Sequence, residues 1–448
     1  MRIRTGFKRA SEGSVLMVTV FLGVVIGFVL ISTLSLVNSQ NQSVVRSQAW
    51  NACIPVIEAG VEEAMAHLNN KNEVSYAVNG WVQNGETYSR FRALDDSFYT
   101  VKIILTNLVR PVIVCTGYVR APLLFANPGL AAAGVDISGV QYIPRAVEVV
   151  ARREPYFVKA MVAKQRINMN GNNIETDSFD SSDPNHSTPL GLYDPAKAKD
   201  NGDVSTTSGG ANIIGVGNAN IKGRLRTGAG GTVSLGANGV VGSLAWHAAG
   251  SKGIEPGWST DDMNVYFPPV GVPFTGGAFA PVSGVVTGYT YKYLLTGGNY
   301  EMSSLTLGSK ERMAISNSTV LYVKGDVDIT GGIDILPGGS LQLYVGGNNA
   351  SLGGVGVNNA GQATNFVYMG LPSNNSLTLP SNGDFTGAIY APDTDLKLNG
   401  GGATTLHFSG ACVTRNIAVS GHYKFHYDEA LRGFPMWKNY VIFSWIEL

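Results

Sequence analysis

Acids two residues apart are the first groups to weigh. Asp326 and Asp328, and again Asp393 and Asp395, would project from one face of a strand. Such pairs bind calcium or share the acid and base work of glycosidic cleavage. Val327 and Ile329 take the inward positions beside the first pair, which leaves its carboxylates facing water. His422 and His426 are four apart, but Tyr423, Phe425 and Tyr427 make the segment a strand, where that spacing is a long reach. Cys53, Cys115 and Cys412 are too scattered for a thiolate metal site. In an oxidising compartment Cys115 and Cys412 are the pair to consider, with buried free thiols as the plain alternative. The glycine-rich run from Gly228 to Gly231 has no hydrophobic strand before it and no Lys-Ser or Lys-Thr after it, so it is no phosphate loop. The sequence therefore leads us to expect no catalytic residue, no metal and no cofactor.

Composition narrows the partners. The 448 residues carry zero formal net charge and only 14% charged side chains, which argues against nucleic acid. The 56 glycines follow no three-residue period, excluding collagen and suiting many short strands joined by tight turns.

The elements that position these residues begin with an apolar run from Val15 to Val37, preceded by Arg2, Arg4, Lys8 and Arg9. About 20 helical residues cross a bilayer core, and the basic flank puts the N-terminus in the cytoplasm. The core is too long for a cleaved secretory signal, and Asn38-Ser39-Gln40-Asn41-Gln42 does not read as a cleavage site. Beyond it Val44, Val45, Ala49, Ala52, Cys53, Val56, Ala59, Gly60, Ala64, Met65 and Leu68 fall near one helical face. The helix should continue to about Asn69, with Pro55 bending or melting it locally.

The stretch Arg9-Ala10-Ser11-Glu12-Gly13-Ser14, leading into Val15-Leu16-Met17-Val18, resembles the class III signal of type IV pilins and pseudopilins, closest to minor pilins of the PilX type. The resemblance implies cleavage by a prepilin peptidase between Gly13 and Ser14, with Ser14 as the new N-terminus. Val18 stands where major pilins carry Glu. Gly23 and Gly27, a small-xxx-small pair, would serve helix packing against other pilin or pseudopilin subunits.

Three strands follow: Phe98 to Leu105, Val112 to Val119 and Arg145 to Arg153. A helix followed by three antiparallel strands is an α+β unit that resembles a pilin head. The apolar insertion from Pro122 to Pro144 reads as a surface loop. From residue 161 short alternating runs recur between Gly-Gly, Asn-Gly and Pro-Gly breaks, which favours a parallel β-helix over a sandwich. Thr176 to Asp183, and the series from Thr319 through Tyr390 to Val419, resemble segments of uncharacterised pilus-associated proteins.

The expected layout is a leader over 1–13, the long helix over 14–70, a small antiparallel sheet over 71–160 and a β-helical domain over 161–430. A Pro-rich excursion at 251–298 should pack across the β-helix, and an aromatic tail over 431–448 should cap its open end. The favoured function is a minor pilin-like structural subunit of a type IV pilus or type II secretion-like filament, displaying the β-helix. It would be an inner-membrane single-pass protein with its bulk exported, partnered by sister subunits, prepilin peptidase and membrane lipid. A single-pass adhesin binding surface glycan, and a β-helical polysaccharide-processing enzyme, are the alternatives.

Overall fold

The first helix, α1, spans Glu12–Leu68, and its two halves meet different surroundings. The computed structural model describes residues 12–69, 80–107, 109–120, 142–379, 383–400, 404–434 and 437–448. They form two units, residues 1–154 with 439–448, and residues 155–438.

In the first unit the C-terminal half of α1 buries Cys53, Val56, Ile57, Val61, Ala64 and Leu68 against a sheet. Burying one such large aliphatic side chain stabilises by about 1.5–3 kcal/mol. The sheet runs β1 (Val82–Asn84), β2 (Thr87–Leu94), β3 (Ser97–Ile104), β4 (Val112–Arg120), β5 (Tyr142–Pro155), and then the C-terminal strand Trp437–Glu447. β1 through β5 are antiparallel neighbours in sequence order. Inward Tyr99, Val101 and Ile103 on β3, and Ile113 and Cys115 on β4, are buried while their neighbours are more open. Helix and sheet are in tight contact at Gly60, where a Cβ would lie 2.5 Å from Cys115 Sγ and 2.9 Å from Tyr99 Cδ2. On the flank Glu63 takes Arg90 at 3.0 Å, Arg92 and the Tyr99 hydroxyl. Burial pushes the Glu63 carboxyl up, but the hydrogen bonds from Arg92 and Tyr99 outweigh it and hold the group below its usual range.

Four expectations need correcting or placing. The helix is unbroken at Pro55. Pro55 and Asn51, whose carbonyl loses its amide donor, both face solvent, so water can satisfy that carbonyl. The aromatic tail is the sixth strand of the small sheet and not a cap on the β body. Leu448 donates to the Ala146 carbonyl, Asn69 brackets the Tyr440 backbone with two hydrogen bonds, and Arg145 grips Glu447 through two nitrogens. Arg152 and Arg153 stack on Phe443 and Tyr440. All three cysteines are buried free thiols, so Cys115 and Cys412 form no disulfide. Residues 121–141 of the expected loop lie outside the described residues, and Tyr142 to Pro144 already belong to β5.

The second unit is a parallel β-helix whose rungs are not stacked in chain order. One ladder runs through Gly298–Met302, Ser318–Val323, Ser340–Val345, Phe366–Gly370, Phe385–Asn399 and Leu406–Ser420. It then jumps back in sequence to β6 (Met161–Ala163) and continues through Val204–Thr206, Leu225–Arg226 and Ser259–Thr260. The same splice joins Leu406–Ser420 to β7 (Ile167–Asn168) and Tyr423–Asp428 to β8 (Glu175–Phe179). The chain thus starts mid-stack, climbs to one end near residue 260, returns to the other end and climbs back.

The return stretch, 261–281, lies inside the expected excursion and packs along the ladder. Its Met263, Phe267 and Val270 are buried, Pro268 accepts from the Tyr390 hydroxyl at 2.7 Å, and Phe274 meets the Tyr322 ring edge-on. This explains an outward column of Tyr322, Tyr344, Met369 and Tyr390 in register, apolar where an outer rung face is ordinarily polar. The rung at 298–302 has its outer edge bridged by Phe279, and the hairpin Val282–Val286 and Tyr289–Leu295 extends the adjoining sheet.

Replacing Gly60 by Val should destabilise the first unit by about 1–3 kcal/mol through overpacking. Gly23→Val, at a position with nothing within 4 Å, should not. Denaturant unfolding of the detergent-solubilised protein, followed by tyrosine fluorescence, checks the difference.

Candidate functional site

Two places on the chain carry chemistry that its bare packing does not demand. One is the N-terminal half of α1. From Val15 onward it has an 18-residue window of mean hydropathy 2.8, with none of that window buried. It is long and apolar enough to be a membrane span or a signal sequence. Gly23 and Gly27 lie one helical turn apart with open space beside each Cα, so a second helix could approach the backbone closely there. The bond between Gly13 and Ser14 falls in the first turn of α1.

The acid pairs do not converge on a cleft. Asp328 is exposed, and Asp326 accepts the backbone N–H of Asn349. Asp393 is paired with Lys164 at 2.8 Å and Asp395 with Arg415 at 2.7 Å. The Arg415 hydrogen bond outweighs burial and holds the Asp395 carboxyl below its usual range. His422 and His426 do not meet either. His422 sits in a turn with φ of 43° near Asn173, whereas His426 points into a buried polar cluster on the splice.

That cluster is the second place. Asp177 on β8 and His426 on Tyr423–Asp428 are register partners, and both side chains are 1% exposed. Asp177 Oδ1 lies 2.6 Å from His426 Nδ1, and Tyr193 donates its hydroxyl to Asp177 Oδ2 at 2.7 Å. The Tyr193 ring also stacks on the His426 imidazole, with centroids 3.6 Å apart. On the other side His426 Nε2 lies 2.8 Å from Nδ1 of half-buried His407. An ionised carboxylate only accepts, so a proton on His426 Nδ1 faces Asp177, and one further N–H is shared between His426 Nε2 and His407 Nδ1. Burial, with the Asp177 charge beside it, pushes the Tyr193 phenol well above its usual range.

Around this core the same two segments are tied again. Glu429 accepts from Ser178, Lys199 and Asn201. Burial raises its carboxyl, but those partners together bring it below the usual range. Asp428 accepts the backbone N–H groups of Ser181 and Ala430, and burial raises its carboxyl. Glu175 holds both Lys222 and Lys424. Within the stretch from Thr176 to Asp183, the side chains of Asp177 and Ser178 and the backbone N–H of Ser181 thus engage the splice. Their partners are some 250 residues away, a distance at which spacing in the sequence gives no signal. Among the described residues no group of three or more His, Cys, Asp or Glu side chains is arranged to hold a metal ion.

The class this geometry defines is a long-helix and small-sheet unit followed by a parallel β-helix. A domain of unknown function, DUF7305, is matched over residues 282–434, about a third of the chain. No curated protein matches the sequence. Among solved structures, the competence-associated pilin ComZ from Thermus thermophilus is similar at 9% identity. The match covers 88% of this chain and 96% of that one, with a TM-score of 0.29. An ice-binding protein DUF3494 domain from Shewanella frigidimarina is similar at 14% identity, over 61% of this chain and 99% of that one, with a TM-score of 0.24. Overlaps this loose carry no argument about function, which rests on the chain's own residues.

Asp177→Ala should lower the stability of the β-helical unit by about 1–3 kcal/mol, because it leaves the buried His426 Nδ1–H and the Tyr193 hydroxyl without their acceptor. Thermal unfolding of wild type and variant near neutral pH measures the loss.

Proposed function

We propose that this chain is a minor pilin-like structural subunit, held in a membrane by residues 15–37 and displaying its β-helix on the exported side. The observation that carries the reading is α1 itself. One unbroken 57-residue helix is wholly exposed where it is most apolar, and buried against its own sheet only in its C-terminal half. A helix of this length extends about 85 Å, so its free half can first sit in lipid and then pack among sister helices. In water that exposed surface would be a liability, which supports lipid and other pilin or pseudopilin subunits as its successive partners.

The basic leader ending in Gly13 makes a prepilin peptidase the processing partner in this reading, with Ser14 as the mature N-terminus. Gly23 and Gly27 mark the face for neighbouring helices. The role is structural and not enzymatic: the weighed acids are tied up in ion pairs or stand alone on an outer face. Zero net charge supports the absence of a nucleic-acid partner. A tip or priming position suits a subunit whose β-helical unit would crowd a closely packed fibre. A surface glycan is the partner such an exposed ladder would serve if the tip is adhesive.

The mature N-terminus decides the reading. Mass spectrometry of the protein from membranes containing prepilin peptidase should find a chain beginning at Ser14. Membranes lacking the enzyme, or carrying Gly13→Leu, should yield a chain that keeps the leader. A wild-type chain that keeps Met1 with the peptidase present, or begins beyond Asn38, would sink it.

A further inference from the structure

At the splice two imidazoles and a buried carboxylate of neighbouring rungs lie face to face. Elsewhere on the same ladder Cys412, Val413 and Thr414 pair with Met161, Val162 and Ala163, none of which titrates near neutral pH. At β8 the contact is instead Asp177, His426 and His407 in line, with Tyr193 closing over the middle imidazole. Tyr193 belongs to the covering segment 180–203, whose other anchors at this join are Lys199 and Asn201 on Glu429 and the Ser181 N–H on Asp428.

Counting protons shows what this line of groups tolerates. With both imidazoles neutral, His407 Nδ1–H points at His426 Nε2, and His426 Nδ1–H points at the Asp177 carboxylate. One added proton fits: it sits on the outer nitrogen of His407, or on His426 Nε2 with the His407 tautomer reversed. Its charge is then matched by Asp177. A second added proton does not fit, because two N–H groups would meet head-on across a 2.8 Å gap and two cations would share one carboxylate.

The other charged and titratable groups facing the pair do not relieve this. Lys424, on the His426 strand, adds positive charge and is engaged by Glu175, which also holds Lys222. Asp384, just before the strand Phe385–Asn399, already accepts the His407 backbone N–H. Ser409 stands in register with His426 and carries no charge. The Tyr193 phenol stays neutral.

We propose that this line of groups is an acid-operated latch. It keeps segment 180–203 and the join between β8 and Tyr423–Asp428 closed while the imidazoles share at most one added proton, and it releases them when the second arrives. Burial, with the neighbouring His426 and Lys424, holds His407 below its ordinary value of 6.5 against the pull of Asp384 and Asp177. The opened form therefore binds protons that the closed form refuses. Closure is fully favoured above that value and weakens as pH falls below it.

Hydrogen exchange of the full chain in detergent, corrected for the intrinsic effect of pH and compared at about pH 7.5 and about pH 5, tests the latch. Protection over 175–203 and 423–428 should fall about tenfold or more at the lower pH. Protection over 341–345 should not change. His407→Asn keeps an N–H donor where Nδ1 stood but cannot take a proton, and its join should stay protected at the lower pH. No loss in wild type, or an equal loss in His407→Asn, would overturn the proposal. A second measurement needs no variant: imidazole nitrogen NMR of the wild type should show the second protonation in step with the loss of protection. Opening at a pH where neither imidazole titrates would also overturn it.

Discussion

The rest of the β-helical unit depends on the parallel pairing of its last strands with its first. Leu406–Ser420 and Tyr423–Asp428 have their partners in β6, β7 and β8, about 250 residues upstream. Without that pairing two shorter stacks would each show a raw edge in the middle of the body, and exposed strand edges invite aggregation. With it, Phe157 and Tyr427 are joined by a 2.8 Å hydrogen bond, so the unit's two ends come together. Close ends allow a whole unit to be set within another. The chain leaves the small sheet after β5 and later supplies that strand's neighbour. Long-range pairing of this kind closes large loops and is slow to form. The β-helix should therefore be the later unit to mature, with the helix and hairpins of the first unit forming ahead of it.

The first unit contains one helix with two different surfaces. Its lower half is shaped for its own sheet, down to Gly60, where a methyl group would strike Cys115 and Tyr99. The apolar window of its upper half is unburied among the described residues, and there is no charge between 15 and 37. An exposed apolar surface of that size marks an interaction surface. This division, together with the leader residues, motivates the pilin-like reading.

Much of this was legible in the residues. Apolar spacing placed the helix and most of the face it buries; it missed Ile57, Val61 and His67, and it included Val44 and Ala52, which are exposed. Alternation placed β3, β4 and β5, and glycine-broken short runs favoured the parallel β-helix. What was not legible depended on distance. Trp437 to Glu447 reads as a cap because nothing local says that Arg145, Arg152 and Arg153 await it. The return of 261–281 over a tyrosine column cannot be read from proline content. Asp177 and His426 look unrelated until the splice sets them side by side. Pro55 misled because the cost of a helical proline depends on whether the orphaned carbonyl faces water, which sequence alone does not say.

The most direct measurement of the splice uses spin labels at Asn168 and Ala418, exposed register partners on β7 and Leu406–Ser420. The native cysteines are buried, so cysteines introduced at these two sites would take the label selectively. Strands in a ladder lie about 4.8 Å apart, which with flexible label arms keeps the two spins within about 15 Å. The account predicts strong dipolar broadening between residues 250 positions apart in the chain. Spectra that merely add the two single-label lines would contradict it, and the β-helix would then have to be two separate stacks.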